Sequence, residues 1–463
     1  MPPLDPARAG GTVAIAPPES GTDITAAARA AIAAAHAQGG GVVAVPPGDW
    51  TSGGLRLLDG VRLHLPAGAR LRAAPGWERY ADTAVDSIAE DSDRGFITAS
   101  GARDIGIGGQ GLLVGDSAQW RVPGAGSLGT HLPAERRPRM IVFEDCERVE
   151  IADIGIEDSP MWTIHLVGCR RAVVRNVEIR NDKRMPNTDG INLDGCADAR
   201  VEGCFISAAD DGICLKTTRR DKARLRPCER IVVTGCVVES ESCALKIGTE
   251  TWADIRDVVF ADCVVAASNR AFGIFSRDGG VIERIRVSGV TVDCHQTPEG
   301  FWGCGEPVTI TIARRHPGIE PGPVQDVVID GLSGRAQGAV VLVGLPDRPV
   351  GPVTLADIDL RQTVGRLDPV GHYDLRPTTA DLAPEPGQEG RKNAWVRGAD
   401  GRIVGLVPYE GGMPALYARH VDDLGLSQIR LRRPTLLPPG WNRAAMVLRH
   451  VTLTPDQAPD SRS

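Results

Sequence analysis

Short apolar runs separated by small polar residues recur along most of the chain. Between residues 95 and 360, a β-branched run, a corner of Gly, Asn, Asp, Ser or Cys and a second run repeat roughly every 25 to 35 residues. Examples are the segments 148–156, 172–179, 199–206 and 230–238. Without paired helices, this period favours stacked parallel strands around an aliphatic interior. We therefore predict an all-β fold, a parallel β-helix.

Three segments depart from this repeat. Residues 22–40 include an Ala-rich amphipathic run that ends in three glycines, which predicts an N-terminal capping α-helix. Such a helix would cover strand edges that otherwise invite aggregation. Residues 369–412, rich in Pro, Gly and charge, are predicted to form a long loop excursion that closes a cleft or mediates oligomer contacts. We predict a single domain over 1–455 and a flexible tail over 456–463.

Composition narrows the classes of partner. The chain has 463 residues, a net charge of −7 and no basic stripe, so nucleic acid is not expected as a partner. No apolar run is long enough to span a bilayer, and no secretory signal is visible. We predict a cytoplasmic protein with no membrane partner, or a secreted one if a leader has been removed. The eleven cysteines lack a C-x-x-C pair and often follow Gly at corners, which favours buried packing over disulfides or metal ligation.

Two acidic motifs lie one repeat apart. They are Asn187-Thr188-Asp189-Gly190 and Asp210-Asp211-Gly212. Parallel stacking would bring Asp189 close to Asp211, whereas Asp210 and Asp211 share a cleft only if they lie at a corner. Three crowded carboxyl groups favour a raised pKa for one of them, as a general acid requires. Glycoside hydrolysis needs one protonated and one ionised carboxyl group, although such motifs also form corner ladders that only satisfy backbone groups.

With these motifs the chain resembles glycoside hydrolase family 28, the polygalacturonase-like family of pectin-degrading β-helix enzymes. The segment Ser159-Pro160-Met161-Trp162, one coil earlier, also resembles a family segment. The resemblance implies a right-handed parallel β-helix and hydrolysis with inversion of configuration. By the same resemblance, Asp210 is the general acid, and Asp189 and Asp211 activate the attacking water.

Two motifs of the family diverge in this chain. Cys243 takes the place of the histidine in its His-Gly motif. Phe275 replaces the arginine of an Arg-x-Lys motif that grips a galacturonate carboxylate, which leaves Arg277 opposite the lysine. Hydrolysis is therefore better supported than galacturonate specificity.

Further side chains are candidates for binding substrate. Lys216, Lys246 and Arg277 would bind an acidic sugar or pair with the catalytic acids, and Lys216, five residues past Asp211, is best placed in sequence to tune a carboxylate. Five other residues are candidates for contacting sugar, namely Asn187, His165, Trp162, Trp302 and Glu250. Each has a structural alternative: the asparagine would hold its turn, and the histidine would be half-buried with its hydrogen bonds satisfied. The two tryptophans would pack in the protein, and the glutamate would be a solvated surface acid. The nine histidines lack metal-binding spacing, so we predict no metal and no cofactor.

The resulting hypothesis is an inverting glycosidase that acts on an oligosaccharide or a polysaccharide end, pectin-derived or uronate-containing. One alternative is a polysaccharide lyase or uronate epimerase on the same scaffold, in which Lys216, Lys246 and Arg277 would be central. Another is a non-catalytic carbohydrate-binding β-helix. The sequence leaves the sugar, the linkage and the choice between monomer and homo-oligomer open.

Overall fold

Parallel strands build the protein, as the repeats predict. The computed structural model describes residues 11–18, 20–125, 130–297, 302–365, 371–377 and 404–454. These residues fall into two compact units, the first within Met1–Ile213, Lys222–Arg224 and Ile231–Cys236, and the second within Cys214–Asp221, Leu225–Arg230 and Val237–Ser463. The predicted parallel β-helix is confirmed.

The strands up to the second acidic motif are short. They are β1 (Thr12–Ala14), β2 (Gly41–Ala44), β3 (Gly48–Ser52), β4 (Leu55–Arg56), β5 (Val61–His64), β6 (Ala69–Ala73), β7 (Ala84–Ala89), β8 (Ser92–Ser100), β9 (Arg103–Gly108), β10 (Leu112–Val114), β11 (Arg121–Ala125), β12 (His131–Pro133), β13 (Arg139–Glu144), β14 (Glu147–Ala152), β15 (Gly155–Glu157), β16 (Ile164–Val167), β17 (Arg170–Arg175), β18 (Glu178–Arg180), β19 (Ile191–Asp194), β20 (Ala197–Glu202) and β21 (Phe205–Ala208).

Several of the strands after that motif are longer. They are β22 (Ile213–Thr217), β23 (Cys228–Thr234), β24 (Val237–Thr251), β25 (Ile255–Ala261), β26 (Val264–Ser276), β27 (Ile282–Cys294), β28 (Val308–Ile312), β29 (Val324–Ala336), β30 (Val340–Val343), β31 (Val353–Gln362), β32 (His372–Asp374), β33 (Leu406–Pro408), β34 (Leu416–Arg432) and β35 (Met446–Leu453). In the second unit, β24, β26, β28, β30, β34 and β35 pair in that order, all parallel.

A winding of the first unit contains three strands, each paired in parallel with its counterparts in the windings before and after. Thus β16 lies between β13 and β19, β17 between β14 and β20, and β18 between β15 and β21. The register aligns buried residues in columns, such as Ile97, Ile141, Ile164 and Ile191. These columns are the aliphatic ladder that the β-branched repeats predict, and they remove apolar surface from water.

The predicted N-terminal helix is α1 (Thr25–Ala37), which lies within the segment 22–40. Its buried face contains Ala28, Ala31, Ile32 and Ala35, the spacing of one apolar helical stripe. The backbone NH of Thr25 donates to Asp23 Oδ1 at 2.9 Å. Two 3₁₀ helices follow at Trp77–Thr83 and Ser117–Trp120. None of the helices in the described ranges is long and apolar enough to cross a membrane.

The cysteines lie in the interior of the protein. All eleven cysteines are buried as thiols; for example, the thiol of Cys196 donates to the Leu166 carbonyl of the preceding winding at 3.2 Å. They pack as small interior residues, the interpretation that the sequence favours.

Of the excursion 369–412, residues 371–377 and 404–412 are described and include the antiparallel pair β32–β33. The rest of it, and the predicted tail 456–463, lie outside the described residues.

Candidate active site

The two acidic motifs occupy successive corners of the first unit. Thr188 to Gly190 lie between β18 and β19, and Asp210 to Gly212 lie between β21 and β22. The backbone NH of Gly190 donates to the carbonyl of Asp211 at 2.9 Å, and that of Ile191 to Gly212 at 2.9 Å. Asp189 and Asp211 are thus on adjacent windings, as the repeat spacing predicts.

Asp210 and Asp211 both lie outside regular strands, in the bend that precedes β22. The alternation of side chains along a strand therefore does not separate them, as the prediction of a corner requires. Gly190 fits this corner because a Cβ there would lie 2.5 Å from the Gly212 carbonyl oxygen. The carboxylic acids are nearly buried, with 3% of Asp189, 6% of Asp210 and 3% of Asp211 exposed.

Thr188 ties the two corners together through its side chain. Its hydroxyl donates to the Met185 carbonyl at 3.0 Å and accepts from the backbone NH of Ala209 at 3.4 Å. Ala209 immediately precedes Asp210, and Thr188 immediately precedes Asp189. These bonds therefore fix the backbone of one acidic motif relative to the other. The Thr188 carbonyl in turn accepts from Asn181 Nδ2 at 3.0 Å.

Asn187 lies in the left-handed region with φ +57°, a conformation that Asn tolerates better than most residues. Its side-chain oxygen accepts from Arg137 Nη2 at 2.9 Å. Arg137 Nη1 also donates to the carbonyls of Pro160 and Pro186, both at 2.7 Å. These contacts favour the alternative in which Asn187 holds its turn, and they identify Arg137 as the clamp on the corner.

His165, predicted to contact sugar hydroxyls, is 1% exposed, and both ring nitrogens face protein groups. Arg139 Nη1 donates to Nδ1 at 2.8 Å, and Nε2 lies 3.3 Å from Asp194 Oδ2. A guanidinium is only a donor, so Nδ1 must accept and Nε2 carries the proton toward Asp194. Burial lowers the pKa of Arg139 to about 10, which still leaves it charged at neutral pH. The contacts favour the alternative of a satisfied histidine.

Trp162, predicted to stack on a sugar face, lies in the corner just before the Asp189 winding. The backbone NH of the next residue, Thr163, donates to the Asp189 carbonyl at 2.9 Å. The indole ring meets His165 edge-on, with ring centroids 4.8 Å apart, and packs with Ala89 and Met161. The ring is nearly buried, which favours the packing alternative over an open sugar platform.

Glu250 lies close to basic side chains in the second unit. Lys216 Nζ lies 3.6 Å from Glu250 Oε2, and Arg315 Nη1 lies 3.5 Å from Oε1. Thr249 Oγ1 is 3.1 Å from the same oxygen. Burial alone would raise the pKa of Glu250, but Lys216, Arg315 and Lys246 hold it well below its usual value. Glu250 is therefore an ionised carboxylate within a cationic cluster, rather than the isolated surface acid of the alternative.

Arg315 also pairs with a second acid in this unit. Its Nη2 lies 3.2 Å from Asp278 Oδ2, and His316 Nε2 lies 3.6 Å from Asp278 Oδ1. Burial raises the pKa of Asp278 although Arg315 opposes this shift. Asp278 accepts from the backbone NH of Thr251 at 2.8 Å, which fixes it beside β24.

Arg277, predicted to bind an acidic sugar or to pair with a catalytic acid, does neither in this structure. It is fully buried, and its guanidinium donates to the carbonyls of Ser276, Thr311, Leu375 and Pro377 and to the Thr311 hydroxyl. Burial lowers its pKa to about 9. All five N–H donors are used inside the protein, which favours a structural role for Arg277, and its substrate-binding role stays a prediction.

The remaining candidates have mixed positions. Lys246 Nζ lies 5.7 Å from the ring centroid of Phe275, which is buried, as is Cys243. Trp302 is half-buried, and the guanidinium of Arg376 lies 5.2 Å over its ring, so one face is already covered. No group of three or more His, Cys, Asp or Glu residues in the described part of the chain is arranged to hold a metal ion.

Sequence reasoning missed the residues that support these groups. They are Arg137, Arg139, Asp194, Asp278 and Arg315. Arg139 is the first residue of β13 and Asp194 the last residue of β19. In the sequence, neither differs from other charged residues at strand ends. One feature of the sequence could have indicated Arg315. Three basic residues follow the apolar strand β28, in the run Ala313-Arg314-Arg315-His316.

Comparison with known proteins agrees with this architecture. Residues 78–294 match the family described as Glycosyl hydrolases family 28. A probable polygalacturonase of Vitis vinifera is 25% identical over 376 residues, which cover 75% of this chain and 73% of that protein. Two solved structures share the fold. A hyperthermoactive exopolygalacturonase from Thermotoga maritima has a TM-score of 0.63 at 23% identity, over 74% of this chain and 84% of that chain.

The polygalacturonase from Erwinia carotovora ssp. carotovora has a TM-score of 0.62 at 17% identity, over 78% of this chain and 95% of that chain. Together, the fold and these matches define a glycosidase on a parallel β-helix. Over residues 78–294 the chain is similar to glycoside hydrolase family 28, and it is polygalacturonase-like.

Proposed function

We propose that the protein is an inverting glycosidase that removes sugar from the end of a pectin-derived oligosaccharide. The observation that carries this proposal is the pair of hydrogen bonds from Gly190 and Ile191 to Asp211 and Gly212. They hold three acids in adjacent corners of one unit, where two can act on opposite sides of one glycosidic bond.

In this proposal Asp210 is the general acid. It donates its proton to the glycosidic oxygen as the bond from that oxygen to the anomeric carbon breaks. Asp189 and Asp211 accept a proton from a water molecule, whose oxygen forms the new bond to the anomeric carbon from the opposite face. The leaving sugar departs as an alcohol, and the anomeric configuration inverts.

A relative supports the proposed substrate class. The Vitis vinifera relative is named a probable polygalacturonase, which supports a pectin-derived substrate. Attack at a chain end is part of the same proposal, with short oligosaccharides as the expected substrates. A uronate carboxylate is the less supported part of the substrate hypothesis, because Arg277 is occupied by backbone carbonyls.

The test is a panel of pectic and other plant-derived oligosaccharides, with the anomer of the first product read by proton NMR. We expect hydrolysis that yields the inverted anomer before mutarotation. Retention of configuration would overturn the assignment of Asp189 and Asp211. An unsaturated product with new ultraviolet absorbance would instead support the lyase alternative, and binding without turnover would support the carbohydrate-binding alternative.

A further inference from the structure

Three polar side chains of the first unit meet at the hairpin β11–β12. Arg121 Nη2 donates to Asp182 Oδ2 at 2.6 Å, and His131 Nε2 lies 3.0 Å from the same oxygen. Arg121 and His131 belong to the hairpin, and Asp182 to the loop between β18 and β19. Their side chains are 27%, 18% and 28% exposed, so solvent reaches all three. We call this group the hairpin cluster.

The hairpin cluster is bonded to the segment that carries Asp189. The backbone NH of His131 donates to the Arg184 carbonyl at 2.8 Å. The carbonyl of the next residue, Met185, accepts from the Thr188 hydroxyl at 3.0 Å. Because Thr188 immediately precedes Asp189, these bonds hold the cluster beside one of the two acidic motifs, within the same unit.

Further hydrogen bonds hold the cluster from its other side. Arg121 Nη2 also donates to Ser117 Oγ at 3.0 Å, and the backbone NH of Ser117 donates to Asp158 Oδ2 at 2.9 Å. The residue after Asp158, Ser159, donates its NH to Asn181 Oδ1 at 3.0 Å. Asn181 immediately precedes the aspartate of the cluster, so the three side chains are positioned before any ligand binds, which lowers the cost of binding one.

The cluster retains hydrogen-bonding atoms that its own contacts do not use. Within the described part of the chain, neither Arg121 Nη1 nor His131 Nδ1 has a hydrogen-bond partner. Asp182 only accepts, so in the neutral ring of His131 the proton is on Nε2 and Nδ1 is an acceptor.

Asp182 itself has one acceptor site left. Burial opposes its ionisation, but the backbone NH of Arg184, with Arg121 and His131, lowers its pKa. A carboxylate has about four acceptor sites, and these three donors occupy one each. The hairpin cluster therefore offers a ligand the two N–H groups of Arg121 Nη1 and two acceptors.

We propose that the hairpin cluster is a sugar subsite of the enzyme, which binds two neighbouring hydroxyl groups of the substrate. The proposal rests on the proposed function, since it adds a subsite to that activity. Each sugar hydroxyl both donates and accepts hydrogen bonds. One hydroxyl donates to His131 Nδ1 and the other to Asp182, and the two oxygens accept from Arg121 Nη1.

The charge of the cluster favours hydroxyl groups over a carboxylate as its ligand. Asp182 already balances the charge of Arg121, so a carboxylate of the substrate would meet a like charge beside the guanidinium. Hydroxyl groups avoid this repulsion, and neutral and acidic sugars both carry them. The subsite therefore adds affinity for a sugar without selecting for a uronate.

Two substitutions on the full-length enzyme test the subsite. Arg121→Met removes the donor, and His131→Phe removes an acceptor but keeps a flat ring. The substrate is the oligosaccharide of the panel that the wild type hydrolyses fastest. In each variant we expect KM to rise by about 10-fold or more and kcat to stay within about twofold, because hydroxyls away from the cleaved bond are bound equally in the ground and transition states.

Arg148→Met is the matched control. Arg148, on β14 of the same unit, pairs with Asp104 and is half-buried like Arg121. Its removal should leave KM at the wild-type value. A wild-type KM in both Arg121→Met and His131→Phe overturns the proposal.

Modified substrates separate a sugar contact from a structural role. Forms of the same oligosaccharide with one hydroxyl at a time replaced by hydrogen are compared on the wild type and on Arg121→Met. At the two hydroxyls that the cluster binds, we expect the replacement to raise the wild-type KM by about 5- to 10-fold but that of the variant by less than about twofold. Effects that simply add at every position contradict the proposal.

Thermal unfolding shows whether each variant is folded. If Arg121→Met is not, His131→Phe takes its place in the comparison with modified substrates. If neither is folded, the wild type alone decides. Two neighbouring hydroxyls whose replacement raises its KM then support the subsite, and the lack of any such pair overturns it.

The subsite and the proposed function can fail separately. If configuration is retained, the proposed function fails, whereas the comparison of KM values still tests the subsite. If no substrate is hydrolysed, the proposed function also fails, and the subsite is judged from calorimetric binding of galacturonate and galactose trisaccharides to the wild type and the folded variant. Binding that weakens about 10-fold or more in the variant supports the subsite. Equal binding, or no binding to the wild type, overturns it.

Discussion

The acid corners of the first unit and the cation cluster of the second are built in different ways. Backbone hydrogen bonds between windings position Asp189 and Asp211, and local side chains such as Thr188 reinforce them. In the second unit, side chains from separate strands position one another, as Lys216 and Arg315 do around Glu250. The first arrangement depends on strand register and the second on charge balance.

This difference indicates which of the two arrangements changes more easily. A register fixed by main-chain bonds survives most side-chain substitutions, so the acid motifs keep their geometry. A charge cluster changes its specificity when one member changes. Here Phe275 and Arg277 stand where the family resemblance implies carboxylate-binding groups, yet one is a buried ring and the other is bound to backbone. The following predictions test that contrast.

Removing the general acid should have the largest effect. Asp210→Asn is expected to lower kcat by about 10²- to 10⁴-fold, because the leaving oxygen no longer receives a proton. The unfolding temperature should change little, since the main-chain bonds of the corner remain. Steady-state kinetics and thermal unfolding measure the two effects. Asp198→Asn, on β20 of the same unit, is the control and should keep nearly full activity. Near-normal turnover in Asp210→Asn would contradict the role of Asp210.

Arg277 tests the structural side of the contrast. Arg277→Met should lower the free energy of unfolding by about 3–5 kcal/mol, because it leaves several buried carbonyls without a donor. Denaturant unfolding measures this loss. Arg284→Met removes an exposed surface arginine and should change stability little. A stable Arg277→Met enzyme with a strongly raised KM would instead restore the substrate-binding role predicted from sequence.

Asn187 separates turn geometry from its hydrogen bond. Asn187→Ala places an unfavourable residue at φ +57° and should cost about 1–2 kcal/mol. Asn187→Gly relieves the backbone but loses the bond from Arg137, so it should cost less. Denaturant midpoints rank the two variants. Equal losses would mean that the Arg137 contact, not the left-handed turn, accounts for the effect.

Glu250 adds a smaller effect that depends on pH. Its pKa is lower in the folded protein than in the unfolded chain, so its ionisation stabilises the fold above about pH 4.3. That contribution is lost as the pH falls toward the folded value. The difference in unfolding temperature between the wild type and Glu250→Gln should therefore be largest near pH 6 and shrink toward pH 3. A difference independent of pH would contradict the electrostatic account.

The sequence predicts what local chemistry and strand register determine. Successive corners for Asp189 and Asp211 follow from one repeat of spacing, and buried cysteines follow from their Gly-Cys positions. The destination of a long charged side chain does not follow, because its partners are distant in the chain. Arg277 binds carbonyls of Leu375 and Pro377, and Arg139 binds His165 from a neighbouring winding. No spacing rule in the sequence indicates such pairs.

The Gly190–Gly212 contact has a consequence for how this scaffold can diversify. Because the two corners touch through main-chain atoms, the separation of Asp189 from Asp211 is set by the pitch of the coil, about 4.8 Å from one strand to the next. The spacing between adjacent windings does not depend on the length of loops elsewhere in the chain. Loops between other strands can lengthen or shorten across relatives while the spacing that the chemistry needs stays the same.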